Sequence, residues 1–334
     1  MSLSTARVID VHAHAVLPEV MGAAGAYGPE LLEEADGTPV FRIGDYRLRN
    51  VRYRGSPFMD PDVRLAAMDR AGVDFQVLGP NPLTYFHHIP IAEAVAFCRT
   101  HNDAMAALVR RYPARLGGLA SLPMQDIDAA VEELTRSVRE LGLLGAQIGT
   151  DLTVTLDDPA MDRLYARLVE LDVPLFIHPG PAGIDGPAAP IQLMQHELDI
   201  LTGFAAQETA AVATLVFGGV LHRHPEVDIC ISHGGGAMAL LYGRLEHAAH
   251  KRAWVPDHLK PAGAFNAALR RLWYDVHMHD ERSTQLLIER IGTDRLVYGT
   301  NFAGWDQPDH AEDALAGVDL TGNARRLLRG DRTQ

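Results

Sequence analysis

Four histidines stand where short apolar runs give way to polar residues. One run ends Asp10-Val-His12-Ala-His14, a second ends Phe176-Ile-His178-Pro179, and a third ends Ile231-Ser-His233-Gly-Gly-Gly236. Residues two apart on a strand point to the same side, so His12 and His14 can converge on one point. Neutral imidazole is the commonest protein ligand for a transition metal. An H-x-H pair alone is weak evidence, and a lone strand-end histidine is more often a satisfied core residue. Three histidine-bearing strand ends in one chain favour a shared metal centre over three unrelated core residues. Gly234–Gly236 either lets a substrate approach His233 and turns free N–H groups toward an anion, or makes only a tight turn.

Such residues need strands to hold them. Apolar, β-branched runs bounded by Gly, Pro or Asp recur at Val8–His14, Asp74–Asn81, Leu116–Leu122, Gly145–Thr150, Pro174–Pro179, Val227–His233, Leu272–Met278 and Leu296–Phe302. Stretches with helical periodicity lie between them at Asp62–Ala71, Ile91–Tyr112, Ile127–Leu141, Pro159–Leu171, Thr209–His222, Ala237–His250 and Ser283–Ile291. Asp60-Pro61 and Asp158-Pro159 carry helix-start chemistry, a capping carboxylate before a proline at the first helical position. The alternation predicts an α/β fold, a (β/α)8 TIM-like barrel. A doubly wound sheet gives a similar string, but polar residues gathered at the carboxyl ends of several strands favour the barrel. Residues 17–57 interrupt the repeat, and alternation over Pro39–Tyr53 predicts a small β insertion after the first strand. Gly180–Pro190 reads as a mobile loop. We expect one barrel domain over residues 1–334.

Composition bounds the rest. The chain has 334 residues, 47% hydrophobic and 22% charged, as expected for a globular protein. A net charge of −13 argues against nucleic acid or an anionic membrane as partner. Cys98 and Cys230 sit in apolar stretches and read as reduced core thiols, which suits a cytoplasmic protein. The amino-terminal residues show no signal pattern, and no apolar run approaches the roughly 20 residues that span a bilayer. His87-His88 and His222-x-His224 read as surface residues; His277, at the end of a strand, could face the site, with a barrel-rim or core role preferred. Trp305 and Phe302 are candidate pocket walls, against a packing role.

The chain resembles the amidohydrolase superfamily, and within it the non-oxidative decarboxylases related to 2-amino-3-carboxymuconate-6-semialdehyde decarboxylase. The motifs run in order from Ile9-Asp-Val-His-Ala-His14 through Asp60-Pro-Asp-Val-Arg64, Gly118-Leu-Ala-Ser-Leu-Pro-Met-Gln125, Gly145-Ala-Gln-Ile-Gly149 and His178-Pro179. They continue through Gly218-Gly-Val220, Ser232-His-Gly-Gly-Gly236, Gly243-Arg244, Tyr274-Asp275, His279-Asp280 and Gly322-Asn-Ala324.

The resemblance implies metal binding, usually of zinc with manganese as a second choice, by His12, His14 and His178. It implies proton transfer or water activation by His233. Arg52 falls where the family holds a substrate carboxylate. Arg244 falls at an arginine that crosses into the neighbouring subunit's site, which implies a homodimer. Guanidinium suits a carboxylate because it offers two parallel charge-assisted bonds. One departure is marked: the family's last strand reads G-[ST]-D, and here Gly299-Thr300 is followed by Asn301. An amide oxygen can coordinate a metal, so Asn301 stays in the expected ligand set and beside His233 in the catalytic set, but it carries no charge. Asp306, five residues on, is an alternative carboxylate beyond the strand end.

The expected activity is metal-dependent release of CO2 from an unsaturated or aromatic carboxylic acid, with Arg52, Arg244 and Trp305 binding the substrate. The alternatives are a metal-dependent hydrolase or hydratase acting on a similar acid, and a metal-free binding protein.

Overall fold

A computed structural model describes residues 2–181, 183–307 and 315–330. Eleven strands occur among them: β1 (Ile9–Ala15), β2 (Glu30–Glu33), β3 (Pro39–Ile43), β4 (Tyr46–Arg49), β5 (Phe75–Pro80), β6 (Leu116–Gly118), β7 (Ala146–Gly149), β8 (Leu175–His178), β9 (Ile229–Ile231), β10 (Trp273–Asp275) and β11 (Leu296–Val297). Eight of them fall inside the eight apolar runs of the sequence or overrun one by a single residue. β1-β5-β6 and β7-β8-β9-β10-β11 form two parallel sheets. Parallel bridges join both seams, Ala120 to Ala146 and Ala13 to Phe302. The Val11 N–H also donates to the Tyr298 carbonyl at 2.9 Å. The eight strands therefore close into the expected barrel. β2, β3 and β4 form an antiparallel sheet within the 17–57 excursion, beginning earlier than the alternation at Pro39 suggested.

The helices follow their caps. The Asp60 carboxylate accepts the Asp62 and Val63 N–H groups and starts a helix at Pro61–Ala71. Asp158 caps only a single turn, after which the α-helix proper runs Asp162–Leu171. The helix expected over Thr209–His222 begins earlier, as Gly203–Phe217, and breaks at Gly218-Gly219 before Val220–Arg223. Gly218 packs so closely on Asp157 that a Cβ would lie 2.2 Å from the Asp157 Cβ. Within the 20 residues Leu198–Phe217 an 18-residue window has a mean hydropathy of 1.4, long and apolar enough to span a bilayer by composition, contrary to the expectation from the sequence. That segment carries the fully buried Glu208 against the barrel. Gly180–Pro190 is irregular, as expected; Asp185 accepts the His88 N–H and Ala182 lies outside the described residues.

Cys98 and Cys230 are buried and unpaired. His87 is not a surface residue: it is buried, and its Nε2 accepts the Gly149 N–H at 2.9 Å. His222 is exposed, while His224 is half-buried and bonded to Asp162 at 2.8 Å.

One apolar cluster draws on almost every barrel strand through Val11, Val77, Phe176, Cys230, Trp273 and Val297, and continues into Ala324 and Leu327 of the last helix, Leu320–Leu328. That helix seals the amino-terminal end of the barrel. Asn323 donates to the Leu296 carbonyl and Arg325 to the Ala6 carbonyl. Asp228 fastens the same end, accepting from Trp273, Arg295 and Arg329 at 2.7, 3.0 and 2.6 Å.

The opposite, carboxyl-terminal end carries the histidines, and the turn after β9 positions one of them. His233 and Gly234–Gly236 all have positive φ, and a Cβ on Gly236 would lie 2.2 Å from the Ala205 carbonyl. The Gly235 and Gly236 N–H groups bond to Ser232 and His233 within the turn. They do not face an anion, so the glycines serve close packing on the helix at Ala205.

Two outcomes follow. Burial alone would raise the Asp228 pKa, but the bonds from Trp273 and Arg329 and the arginine charges bring it below the usual carboxylate value. A lowered folded-state pKa gives stability that is present above about pH 4 and lost as pH falls through the folded value. Asp228→Asn is expected to cost about 1–3 kcal/mol at pH 7 and to flatten that acid limb, as read by urea unfolding between pH 3 and 7. An unchanged midpoint at both ends would refute the role. Gly236→Ala is expected to cost about 2–4 kcal/mol in thermal unfolding, because it adds a clash with the backbone at a positive φ; a change under ~0.5 kcal/mol would refute it.

Candidate metal centre

The register between β1 and β5 shifts between Asp10 and Ala13, an irregularity that re-aims the strand. Val11 joins the apolar cluster on one side of it, and His12 and His14 enter the centre on the other. The His12 ring lies 5.2, 4.9 and 4.9 Å from those of His14, His178 and His233. His178 lies 4.7 Å from His14 and 5.0 Å from His233. All four sequence-predicted histidines are thus brought together.

Each imidazole is turned by the partner of its outer nitrogen. His14 Nδ1 donates to the Pro80 carbonyl at 2.9 Å and His178 Nδ1 to the Pro179 carbonyl at 2.6 Å. His12 Nδ1 pairs with the buried Asp275 carboxylate at 2.8 Å. A carbonyl only accepts, so the proton sits on Nδ1 and the lone pair on Nε2. The Nε2 atoms of His12, His14 and His178 are all buried and have no hydrogen-bond partner among the described residues. Burial and the charge of His233 lower the basicity of His14 to a pKa of about 4. His12 and His178 are lowered too, first by burial and then by neighbouring imidazoles. Neutral rings with bare, inward nitrogens are the form that ligates a metal, and their outer bonds fix the orientation. One ligand nitrogen each from His12, His178 and His233 lie within 4.8 Å of one another. A set of neutral imidazole donors fits a divalent transition metal.

His233 differs from the other three. Its Nδ1 bonds to Glu208 Oε1 at 2.7 Å, and Ser232 Oγ donates to the same oxygen at 2.5 Å. Burial by itself lowers the His233 pKa, but the charge and hydrogen bond of Glu208, with smaller contributions from the charges of Asp275 and Asp306, carry it to about 9. An imidazole held charged beside three neutral ones can deliver a proton.

Asn301 is half-buried, with φ +47°, and its Nδ2 donates to Asp306 Oδ1 at 2.7 Å. Arg52 and Arg244 are exposed and make no hydrogen bond or ion pair among the described residues, so neither joins the histidines within one chain. Trp305 is 72% exposed and walls nothing in the isolated chain, whereas Phe302 is core, 2% exposed.

Several residues that shape the centre were not assigned a role from sequence. Arg64 is buried, donates to the His14 carbonyl at 2.6 Å and bonds to Gln76. Gln76 Nε2 and Thr300 Oγ1 donate to Asp10 at 2.9 and 2.8 Å, which ties β5 and the segment after β11 to β1. Glu208 was hidden because the expected helix began one residue after it; a lone acid inside an apolar helix was the signal. Asp275 and His277 lie at the end of β10, the same position that singled out His178. His277 is buried, as a core reading requires, yet its ring lies 5.4 Å from His12 and 5.1 Å from His233, so it also faces the centre.

A family model described as amidohydrolase matches residues 9–330. The chain is 33% identical over 247 residues to 2-amino-3-carboxymuconate-6-semialdehyde decarboxylase of Dictyostelium discoideum, covering 73% of this chain and 66% of that protein. It is 31% identical over 333 residues to gamma-resorcylate decarboxylase of Rhizobium radiobacter, covering 91% of this chain and 95% of that one. Among solved structures, a dihydroxybenzoic acid decarboxylase of Polaromonas, bound to manganese and 2-nitroresorcinol, superposes with a TM-score of 0.72 at 21% identity, covering 98% of both chains. That likeness supports the barrel fold, and the sequence matches extend it to descent: the chain is a member of the amidohydrolase family.

Proposed function

We propose that this protein is a metal-dependent, non-oxidative decarboxylase that releases CO2 from an unsaturated or aromatic carboxylic acid. The observation that carries the reading is the set of three buried, unpaired Nε2 atoms of His12, His14 and His178 beside a Glu208-held His233. Decarboxylase relatives of this chain make the same reaction class the first choice. His12, His14 and His178 would hold the ion, zinc by first expectation and manganese by analogy with the Polaromonas structure. When bound, it would polarise the substrate's carboxylate and a neighbouring oxygen as a Lewis acid.

The chain's own residues supply the rest. The C–COO⁻ bond breaks and leaves its electron pair on the substrate carbon. His233 Nε2–H faces the centre and gives that carbon its proton, while Glu208 keeps the ring in place through Nδ1. Asp275 and Asp10 hold the β1 end rigid, so the proton donor and the donor nitrogens keep one geometry. Arg52 and Arg244 would clamp a carboxylate, and Trp305 would cover an aromatic ring once a second subunit is present. Their exposure in the single chain suits groups completed by a homodimer, with Arg244 reaching the neighbouring site.

Protein purified without added metal is expected to carry about one equivalent of a transition metal, and His178→Ala under about a tenth. Chelation should abolish CO2 release from a panel of hydroxybenzoates and carboxymuconate-type acids, and added Zn²⁺ or Mn²⁺ should restore it. Full activity with under a tenth of an equivalent would overturn the reading; hydrated or hydrolysed product without CO2 would replace it with the hydratase or hydrolase alternative. Separately, Arg244→Ala and His178→Ala should each be inactive. Refolded together, they should recover about a quarter of wild-type activity, since half the dimers are mixed and each of those has one complete site. No recovery from a mixture shown to contain mixed dimers would exclude a crossing Arg244.

A further inference from the structure

The carboxylates nearest the four imidazoles are spoken for. Asp275 is bound to His12, Glu208 to His233 and Ser232, and Asp10 to Gln76, Thr300 and the His12 N–H. Each stands behind the ring or strand it supports. Asp306 stands in front. Its Oδ1 accepts the Asn301 amide at 2.7 Å, and its Oδ2 lies 4.0 Å from His277 Nε2 and 3.8 Å from His279 Nε2, outside hydrogen-bond range. Its side chain is only 12% exposed.

A carboxylate oxygen of Asp306 and one ligand nitrogen each of His233 and His277 lie within 4.8 Å of one another. His233 also belongs to the group it forms with His12 and His178, so the two groups of donors adjoin at His233. His277 carries the same signature as the first three imidazoles. Its Nε2 bonds to the Asp306 main-chain carbonyl at 3.1 Å, which fixes the proton there, and its Nδ1 is buried and unpaired.

The turn after β11 brings Asp306 to this place. Asn301 and Ala303 have φ +47° and +65°, conformations uncommon for residues with a Cβ. The Gly304 N–H returns to the Asn301 carbonyl at 2.7 Å, and the Ala303 N–H donates to Gln307 Oε1 at 2.7 Å. The backbone folds back over the strand end, and the Asn301 Nδ2 donates to the Asp306 carboxylate.

A divalent cation held by the neutral imidazoles of His12, His14 and His178 gains no negative ligand from them, and an anionic oxygen is the ligand that such a set lacks. We propose that Asp306 is the anionic ligand of the metal centre, delivered by the turn after β11, and that Asn301 is its holder and not itself a ligand. This rests on the metal-dependent reading above, and replaces the expectation that Asn301 binds the ion through its own oxygen.

Calorimetric titration of chelator-stripped, full-length protein with Mn²⁺ tests it. Wild type should bind about one ion per chain. D306N should bind the same number at least ~100-fold more weakly, and N301A should weaken binding by less, about 10-fold. Adding N301D to D306N should return affinity toward wild type, because a carboxylate then stands at the strand end itself. Metal-free melting temperatures of all variants should agree within a few degrees, and D306A gives the same reading should D306N fail to fold. D306N binding within twofold of wild type would overturn the assignment and leave the metal reading intact. Wild type binding no Mn²⁺ and no Zn²⁺ would overturn both.

Discussion

Three buried imidazole nitrogens without a hydrogen-bond partner, on rings in mutual contact, are the constraint around which this barrel is built. A buried polar atom without a partner costs about 1–3 kcal/mol, and His12, His14 and His178 present three such atoms side by side. The arrangement persists because each ring is fixed from behind, by Asp275, by the Pro80 carbonyl and by the Pro179 carbonyl. Those partners are in turn fixed by the closed hydrogen-bond ladder of the strands. Without that rigidity the rings would turn to satisfy one another, and the centre would collapse into an ordinary polar core.

Local charge divides the work among chemically identical side chains. Burial keeps His12, His14 and His178 neutral, whereas Glu208 holds His233 in its charged form. Four rings, with His14 and His233 each in contact with both His12 and His178, therefore offer two chemistries, lone pairs on one side and a proton on the other. The helix that carries Glu208 reaches His233 only because Gly236 lets the turn after β9 touch the helix backbone at Ala205. A sequence of three glycines thus bears on the electrostatics of a histidine through packing.

The two ends of the barrel are built on different physics. The amino-terminal end is closed by apolar burial of Ala324 and Leu327 and by the Asp228 ion pairs with Arg295 and Arg329. The carboxyl-terminal end leaves polar atoms unpaired and backbone in uncommon conformations at His233, Asn301 and Ala303. Stability concentrated at one end lets the other keep strained, reactive geometry.

By itself the sequence determined the periodic part of this protein and the residues at its breaks. Eight apolar runs became eight barrel strands, and His12, His14, His178 and His233 were legible because each stands where such a run ends. Local pattern suffices there, since strand alternation and position at a carboxyl end are properties of a few consecutive residues. Tertiary structure decided what depended on distant segments meeting. Glu208 on its helix, Asp275 at the end of β10 and His277 just beyond it, and Arg64 beside β1 acquire roles only when the barrel closes and brings them within 3 Å of the His233 ring, the His12 ring and the His14 carbonyl, or, for His277, into ring contact. The same holds for other readings the fold replaced: His87 is buried with its Nε2 accepting the Gly149 N–H, and the Gly235 and Gly236 N–H groups after His233 are consumed by their own turn. Asn301 stood out in the sequence as an amide at a strand end. Only the folded turn shows its amide holding Asp306, because that bond depends on two positive-φ residues that no spacing rule announces.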